Sequence, residues 1–321
     1  MVSDEYLAGF VDGEGSLSLA RRHRPRQSTE YSVRIAIYNS HRGVLEEIRR
    51  GFGGTWSDVG TRYPHWKPAF ALIWTNAAAV ELLTKLAPYL RVKSEHAKVL
   101  FRFVEHVQRC KRTRDARGYL SSLAPQKMRV RERFHRQLKH LNARGSASVS
   151  LRPRSSTAGR RPRKQTNLSA EYLAGFVDAE GSLMISKSIN RENQRPTYGT
   201  RMAVSNTDRC SLEEIRRIFG GKLMYQPARN SRWRDAYQLV WSGGMSRRLL
   251  PIIAPYLRVK RTQAAVMEEF TRHQETVWRE NDGRHSARLS DDVLALREGM
   301  YQRMKILNAK GPAHAGANLN P

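Results

Sequence analysis

A chain that carries one long phrase twice must fold as two copies of one unit. Residues 6–17 read YLAGFVDGEGSL and residues 172–183 read YLAGFVDAEGSL, eleven of twelve letters alike at an offset of 166. The duplication extends well beyond this phrase. EEIRR followed by Gly51-Phe52-Gly53-Gly54 recurs as EEIRR followed by Ile218-Phe219-Gly220-Gly221, and Pro88-Tyr89-Leu90-Arg91-Val92-Lys93 recurs as Pro255-Tyr256-Leu257-Arg258-Val259-Lys260, both at an offset of 167. Leu141-Asn142-Ala143-Arg144-Gly145 then matches Leu307-Asn308-Ala309-Lys310-Gly311 at 166 again. Such a period is too long for a solenoid repeat, and each copy has enough residues for its own core. The expected organisation is a first domain over 1–145, a linker over 146–168, a second domain over 169–311 and a disordered tail over 312–321. The linker stretch is rich in Ser, Pro and Arg and has no acidic residue, as a flexible basic connector requires.

Within each copy the pattern predicts a short helix, then strands, then helices. The helices at 4–14 and 170–180 carry small residues at their centres: Ala8, Gly9 and Gly13 in one, Ala174, Gly175 and Ala179 in the other. A mid-helix glycine costs about 1 kcal/mol relative to alanine. Close approach of another backbone is the usual reason to tolerate that cost, and residues four apart share a face. The two helices are therefore expected to pack on each other about a pseudo-twofold axis, with Asp4 as a candidate cap for the first. Residues 31–38 alternate, with Val33, Ile35 and Ile37 to one side and Ser32, Arg34 and Ala36 to the other, and a strand over 16–22 precedes them. Further strands fit 54–60, 66–75 and 233–242, and helices fit 76–86, 93–112 and 126–143, with Gly145 and Gly311 as helix stops. The fold class is α+β, an antiparallel sheet in each copy with helices on one face.

Charge narrows the partner. Lys and Arg number 57 against 29 Asp and Glu, a net charge of +28 and an isoelectric point near 10.9. A polyanion is the natural counterpart, and nucleic acid has that charge density; a basic surface kept for solubility is the bland alternative. No apolar run approaches the ~20 residues of a membrane span, and no signal-type segment opens the chain, so no membrane partner is expected. Cys110 and Cys210 are the only cysteines. This suits an intracellular, reducing compartment, with bacterial cytoplasm and organelle equally open.

The candidate chemistry sits at Glu14 and Glu180. Each closes its small-residue helix, where a carboxylate faces the negative end of the helix dipole. If the helices pack together, two like charges meet, and a hard divalent cation would resolve the conflict, with Mg²⁺ the default beside phosphates. Ordinary exposed helix ends would explain the same two residues. Asp12 and Asp178 lie two positions earlier, about 200° round the helix. They fit capping or salt-bridging inside the helix interface better than they fit the same ion.

LAGFVDGEG and LAGFVDAEG resemble the signature of the LAGLIDADG homing endonucleases, and two copies in one chain resemble the monomeric, two-repeat members. The resemblance implies an αββαββα unit in each half and two pseudo-twofold-related sheets forming a saddle over double-stranded DNA. It implies a site-specific double-strand endonuclease with a long, non-palindromic target, encoded by an intron. It makes Glu14 and Glu180 the metal-binding catalytic acids. Lys93 and Lys260 match a family lysine after the middle helix, and Asn39 and Asn206 match a position usually held by Gln or Asn. Mg²⁺ is the implied cofactor, with Mn²⁺ as a substitute and Ca²⁺ supporting binding without cleavage. DNA contact would fall to outward strand positions and adjoining loops: Ser18, Arg22, Arg24, Arg26 and Arg34 in the first copy, Ser186, Ser188, Asn190 and Arg201 in the second. The parity of strands 66–75 and 233–242 is open. An intron RNA maturase, or a DNA-binding regulator without catalysis, are the alternatives on the same fold.

Overall fold

The computed structural model describes residues 1–23, 29–61, 68–110, 123–143, 168–191, 194–228, 230, 234–280 and 289–309. Arg24, Arg26, Gly145 and Gly311, and all of the linker segment except Leu168, lie outside the described residues. Leu168 is buried at the second helix entry, as Val2 is at the first.

Each copy repeats one order of elements. The first is α1 (Asp4–Glu14), β1 (Gly15–Arg22), β2 (Glu30–Asn39), α2 (Arg42–Phe52), β3 (Thr55–Gly60), β4 (Ala69–Thr75), α3 (Asn76–Leu86), α4 (Ser94–Arg109) and α5 (Pro125–Leu141). The second is α6 (Ala170–Glu180), β5 (Gly181–Ile189), β6 (Pro196–Asn206), α7 (Arg209–Phe219), β7 (Lys222–Gln226), β8 (Ala236–Ser242), α8 (Gly244–Ile253), α9 (Arg261–Glu280) and α10 (Asp291–Leu307). The αββαββα core is followed by two further helices in each half. Both sheets are antiparallel, in the orders β1-β2-β4-β3 and β5-β6-β8-β7.

The alternation seen in the sequence decides which face each sheet buries. Leu17, Leu19, Val33, Ile35, Ile37, Leu72 and Trp74 form one buried face under the helices. Leu183, Ile185, Met202, Val204, Leu239 and Trp241 do the same in the second copy. The pairing resolves the open parity: Thr75 lies opposite Arg34, and Ser242 and Gln238 lie opposite Arg201 and Ser205, all on the faces away from the helices. The helix stops also differ from expectation. α5 and α10 end at Asn142 and Asn308, whose side-chain amides donate to the Leu17 and Leu183 carbonyls at 2.9 and 2.8 Å. The repeated Leu-Asn-Ala phrase thus ties the last helix of each copy to its first strand.

Ser3, not Asp4, caps α1: its hydroxyl accepts the Tyr6 N–H at 3.2 Å, and Ser169 does the same for Tyr172. Asp4 instead sits in the first turn, where the dipole favours its charge.

Candidate active site

α1 and α6 pack backbone to backbone. A Cβ added at Gly9 would lie 2.1 Å from the Tyr172 carbonyl oxygen, and one at Gly175 would lie 2.0 Å from that of Tyr6. These two glycines are obligatory at this approach. The single letter that differs between the phrases has the same origin. A Cβ on Gly13 would sit 2.3 Å from the Cβ of Ala179, so the crossing admits one methyl and not two. Ala8 and Ala174 are fully buried.

Two reciprocal polar networks flank this crossing. Asp12 is buried, and its carboxylate accepts from the backbone N–H groups of Arg91 (2.6 Å), Val92 (3.1 Å) and Lys93 (2.8 Å) and from the Tyr172 hydroxyl (2.7 Å) of the other copy. Asp178 repeats each contact with Arg258 (2.6 Å), Val259 (3.1 Å), Lys260 (2.9 Å) and Tyr6 (2.7 Å). The motif aspartates are therefore interface acceptors that also fix the start of α4 and α9. The repeated PYLRVK and EEIRR phrases meet across the copies. Arg91 pairs with Glu214 at 3.0 Å, and Arg258 pairs with Glu47. Sequence reasoning registered both phrases as repeats but assigned them no partner, because an ion pair between copies leaves no local spacing to read.

The same loops deliver the lysines. Lys93 Nζ donates to the Asp12 carbonyl and lies 3.4 Å from that of Gly13, while Lys260 Nζ donates to the Asp178 carbonyl at 2.6 Å. Each ammonium thus covers carbonyls at the carboxyl end of a motif helix, where a cation is favoured. Both lysines are deeply buried, which pushes their pKa values down, while Asp12 or Asp178 and both motif glutamates pull upward.

Glu14 and Glu180 complete the site at the adjoining helix ends. Burial first, then the charge of Glu180, push the Glu14 carboxyl up from an ordinary 4.5 to about 7, with Lys260 and Lys93 opposing. Glu180 is the more exposed of the two. Glu14, Glu180, Lys93 and Asn206 line one open cleft of 1130 Å³, together with Ser16, Ser18 and Lys139. Asn39 ends β2 as Asn206 ends β6, but the cleft is lined by its neighbour Tyr38. Each asparagine oxygen closes its own turn, accepting from His41 N–H at 2.7 Å or Asp208 N–H at 2.8 Å. That leaves each amide N–H₂ as the group able to donate.

Among the described residues no cluster of three or more His, Cys, Asp or Glu is present. Two carboxylates at two negative helix ends, beside open cleft volume, match a hard divalent ion that keeps waters and takes further oxygens from a phosphate.

Of the candidate DNA residues, Ser18, Arg22, Arg34, Ser186, Ser188 and Arg201 lie on the open sheet faces. Ser18 pairs with Arg34, and Arg22 with Glu30, along β1 and β2. Arg34 is held by the Tyr38 hydroxyl at 3.0 Å. In the second copy Ser186 bonds the Gly199 carbonyl at 3.0 Å, and Ser188 shares a 2.7 Å bond with Thr197. Asn190 follows β5 and receives no place in the sheet. Arg201 donates to Gln238 at 2.8 Å, which donates in turn to Ser205 at 3.1 Å. Gln238 was missed because the parity of its strand was open; Tyr38 and Ser205 fall on the outward parity of theirs but were not singled out.

No family model and no curated protein matches the chain. Solved structures do. The I-LtrWI LAGLIDADG homing endonuclease bound to target DNA is 14% identical, with a TM-score of 0.61 over 94% of this chain and 96% of that one. I-SmaMI bound to uncleaved DNA target in the presence of calcium ions is 14% identical, with 0.59 over 95% and 99%. The LAGLIDADG homing endonuclease I-GzeII in complex with DNA target is 13% identical, with 0.57 over 94% and 98%. With its paired motif helices and two four-stranded sheets, the chain has the fold of the two-domain LAGLIDADG homing endonucleases.

Proposed function

We propose that the chain is a site-specific endonuclease that hydrolyses both strands of a double-stranded DNA target with a divalent metal, acting as a monomer and encoded by an intron. The observation that carries this is the meeting of Glu14 and Glu180 at the pseudo-twofold axis, flanked by Lys93 and Lys260 and lying between two open, polar sheet faces. One acid and one lysine per copy match two scissile phosphates, one on each strand. The structural neighbours named above were solved with DNA, one of them with calcium, which supports duplex DNA as substrate and a divalent ion at the acids.

The dimensions agree with such a substrate. β1 has 8 residues; at about 3.3 Å per residue it extends ~26 Å, equal to roughly 8 base pairs at 3.4 Å each, so two sheets cover ~16 base pairs before their loops are counted. The open faces differ: Arg34 stands with Tyr38 in one, Arg201 with Gln238 and Ser205 in the other. Unequal surfaces read unequal half-sites, so the target is non-palindromic.

Glu14 and Glu180 would hold the metal, with Mg²⁺ the working ion. When bound, it supplies Lewis-acid stabilisation of phosphate oxygens and a water of lowered pKa. The chain's own groups do the rest. Lys93 and Lys260, held by helix-end carbonyls, present fixed positive charge to the negative charge that develops on the phosphates. The amide nitrogen of Asn206, which lines the cleft, would be a donor for orienting water; Asn39 holds the equivalent position in the first copy but does not line the cleft.

The test is selection of cut sites from a randomised plasmid library in Mg²⁺, then assay of Glu14→Gln and Glu180→Gln on the selected target. Each variant should lose linear product while its affinity in Ca²⁺ stays within about tenfold, ~1.4 kcal/mol. Linear product at the wild-type rate from both would show that the acids are structural.

A further inference from the structure

We infer that the outer face of α5 is a second, one-sided DNA-backbone surface, clamping the duplex over the first copy's half-site only. This rests on the DNA-binding role proposed above and adds to it a surface outside the sheets.

The observation is a contrast between two helices that the duplication makes equivalent. α5 carries six basic side chains and one acidic one, whereas α10 carries three of each. The difference is concentrated at exposed positions. Arg129, Arg133, Arg136 and His140 correspond to Ala295, Gly299, Gln302 and Ile306, and all eight are exposed. The four on α5 follow a spacing of 4, 3 and 4 residues, which places them on one stripe of the helix. Among the described residues Arg129 and Arg133 have no ion pair, and the one α5 carboxylate, Glu132, is taken by the Tyr31 hydroxyl. On α10 the charges are spent internally: Glu298 takes Lys187 at 2.7 Å, Asp291 takes Arg195, and Arg303 takes Glu269 at 2.9 Å. A solvated charged face kept for solubility would serve both helices alike. Here one copy has a row of exposed basic side chains, and the other has a neutral face with Leu296 and Ile306 in the open.

The placement of α5 says what the row meets. Its carboxyl end is pinned to β1 by the Asn142–Leu17 bond, and Lys139 lines the catalytic cleft. Ten residues, about 2.8 turns, back from Asn142, Glu132 meets Tyr31, the register partner of Arg21 near the outer end of the same strand. Ten helical residues advance about 15 Å and four strand residues about 13 Å, so α5 runs alongside β1 from the centre outward. β1 is the edge strand of its sheet. The stripe therefore follows the flank of the surface on which the duplex would lie, continuous at Lys139 with the cleft. Over the ~16 Å from Arg129 to His140 a backbone offers two to four phosphates, and arginines at single phosphates need no base sequence to bind them.

The experiment compares two triple variants of equal charge change on the full chain. One is Arg129→Gln, Arg133→Gln and Arg136→Gln on α5. The other is Arg49→Gln, Arg50→Gln and Arg217→Gln, exposed cations of α2 and α7. Affinity for a random-sequence duplex is measured in Ca²⁺ across a salt series, with thermal melts to confirm that both variants are folded. The α5 variant should lower the slope of log K against log salt by about 2–3, near 0.9 per lost phosphate contact, and the control by less than about 1. The reciprocal variant, Ala295→Arg, Gly299→Arg and Gln302→Arg, should raise the slope; at Gly299 a side chain meets nothing within 4 Å. Equal slopes for the two glutamine variants overturn the proposal, as does a loss confined to structured RNA with duplex binding unchanged. A wild-type slope near zero instead overturns the DNA-binding role itself, so the two failures are distinguishable.

Discussion

Replacing Gly9 with alanine should separate the two halves of the molecule. The new Cβ would lie 2.1 Å from the Tyr172 carbonyl oxygen, against the roughly 3.4 Å of an ordinary contact, so α1 and α6 must part by ~1.3 Å. The obstacle is backbone, which has no rotamer to escape into. A displacement of that size also stretches the Tyr6–Asp178 and Tyr172–Asp12 bonds, now 2.7 Å each, past hydrogen-bonding range. Overpacking costs about 1–3 kcal/mol, the two bonds ~1 kcal/mol each, and the better helix propensity of alanine returns ~1 kcal/mol. The net loss is about 2–4 kcal/mol, read as a lower midpoint in urea. Gly51→Ala is the internal control, since a Cβ there meets nothing within 4 Å and the change should be neutral or stabilising by up to ~1 kcal/mol. A Gly9→Ala protein as stable as Gly51→Ala would refute the close crossing, and with it the geometry that brings the two acids together.

Two further outcomes follow from the charges at the axis. The Glu14 carboxyl, raised from 4.5 to about 7, is protonated more readily folded than unfolded, so without metal its contribution favours the folded state at low pH and is lost as pH rises from 4.5 through 7, with a ceiling of ~3 kcal/mol; Glu14→Gln should flatten that slope, and an unchanged pH profile of urea midpoints would show that the proton is not there. In Mg²⁺ the same proton competes with the ion, so at subsaturating Mg²⁺ cleavage should fall as the pH is lowered, and raising Mg²⁺ should move that fall to lower pH. Arg91→Met should destabilise by about 1–3 kcal/mol by leaving the part-exposed Glu214 unpaired and losing the Pro88 and Tyr172 contacts, and the double change with Glu214→Met should recover part of that; strictly additive losses would mean that the pair is not coupled.

The parts of the fold written by period and by repetition were legible in the sequence. Strand alternation at Val33, Ile35 and Ile37, and the small-residue faces at Gly9 and Gly175, are local signals with one physical reason each, and the buried positions fall where those reasons put them. What could not be read depends on contacts between the copies. The angle from Glu14 placed Asp12 inside the helix interface, but it could not name its partners, three N–H groups near residue 92 and a tyrosine in the other half. Glu47 and Glu214 read as helix-surface charges for the same reason. Caps were misjudged by one residue, since Ser3 and Asp4 are both good N-terminal residues and only the entering backbone decides between them. For Asn39 and Asn206 the turn that consumes each side-chain oxygen is visible only in three dimensions.

If the chain cleaves DNA as proposed, stability and catalysis would share one residue in each copy, and that would permit a separation by strand. Asp12 fixes the Lys93 backbone N–H through its carboxylate, while its carbonyl receives the Lys93 ammonium. Asp178 does the same for Lys260. Burial raises the Asp12 carboxyl above its usual range, with the Lys93 ammonium and then the hydrogen-bond donors opposing, and the carboxylate accepts four hydrogen bonds. Asp12→Ala orphans those four donors, three of them backbone N–H groups, and should cost about 3–5 kcal/mol. It should also release the loop that holds Lys93 and leave the Asp178–Lys260 half intact. On a target with differently labelled strands, and at a temperature where the variant is folded, one strand should be cut more slowly by at least tenfold while the other keeps its rate. Plasmid would then accumulate as nicked circles, and Asp178→Ala should slow the opposite strand. A destabilised Asp12→Ala protein that still cuts both strands at wild-type rates would separate the two roles, leaving the aspartates to hold the interface and the lysines to find their positions without them.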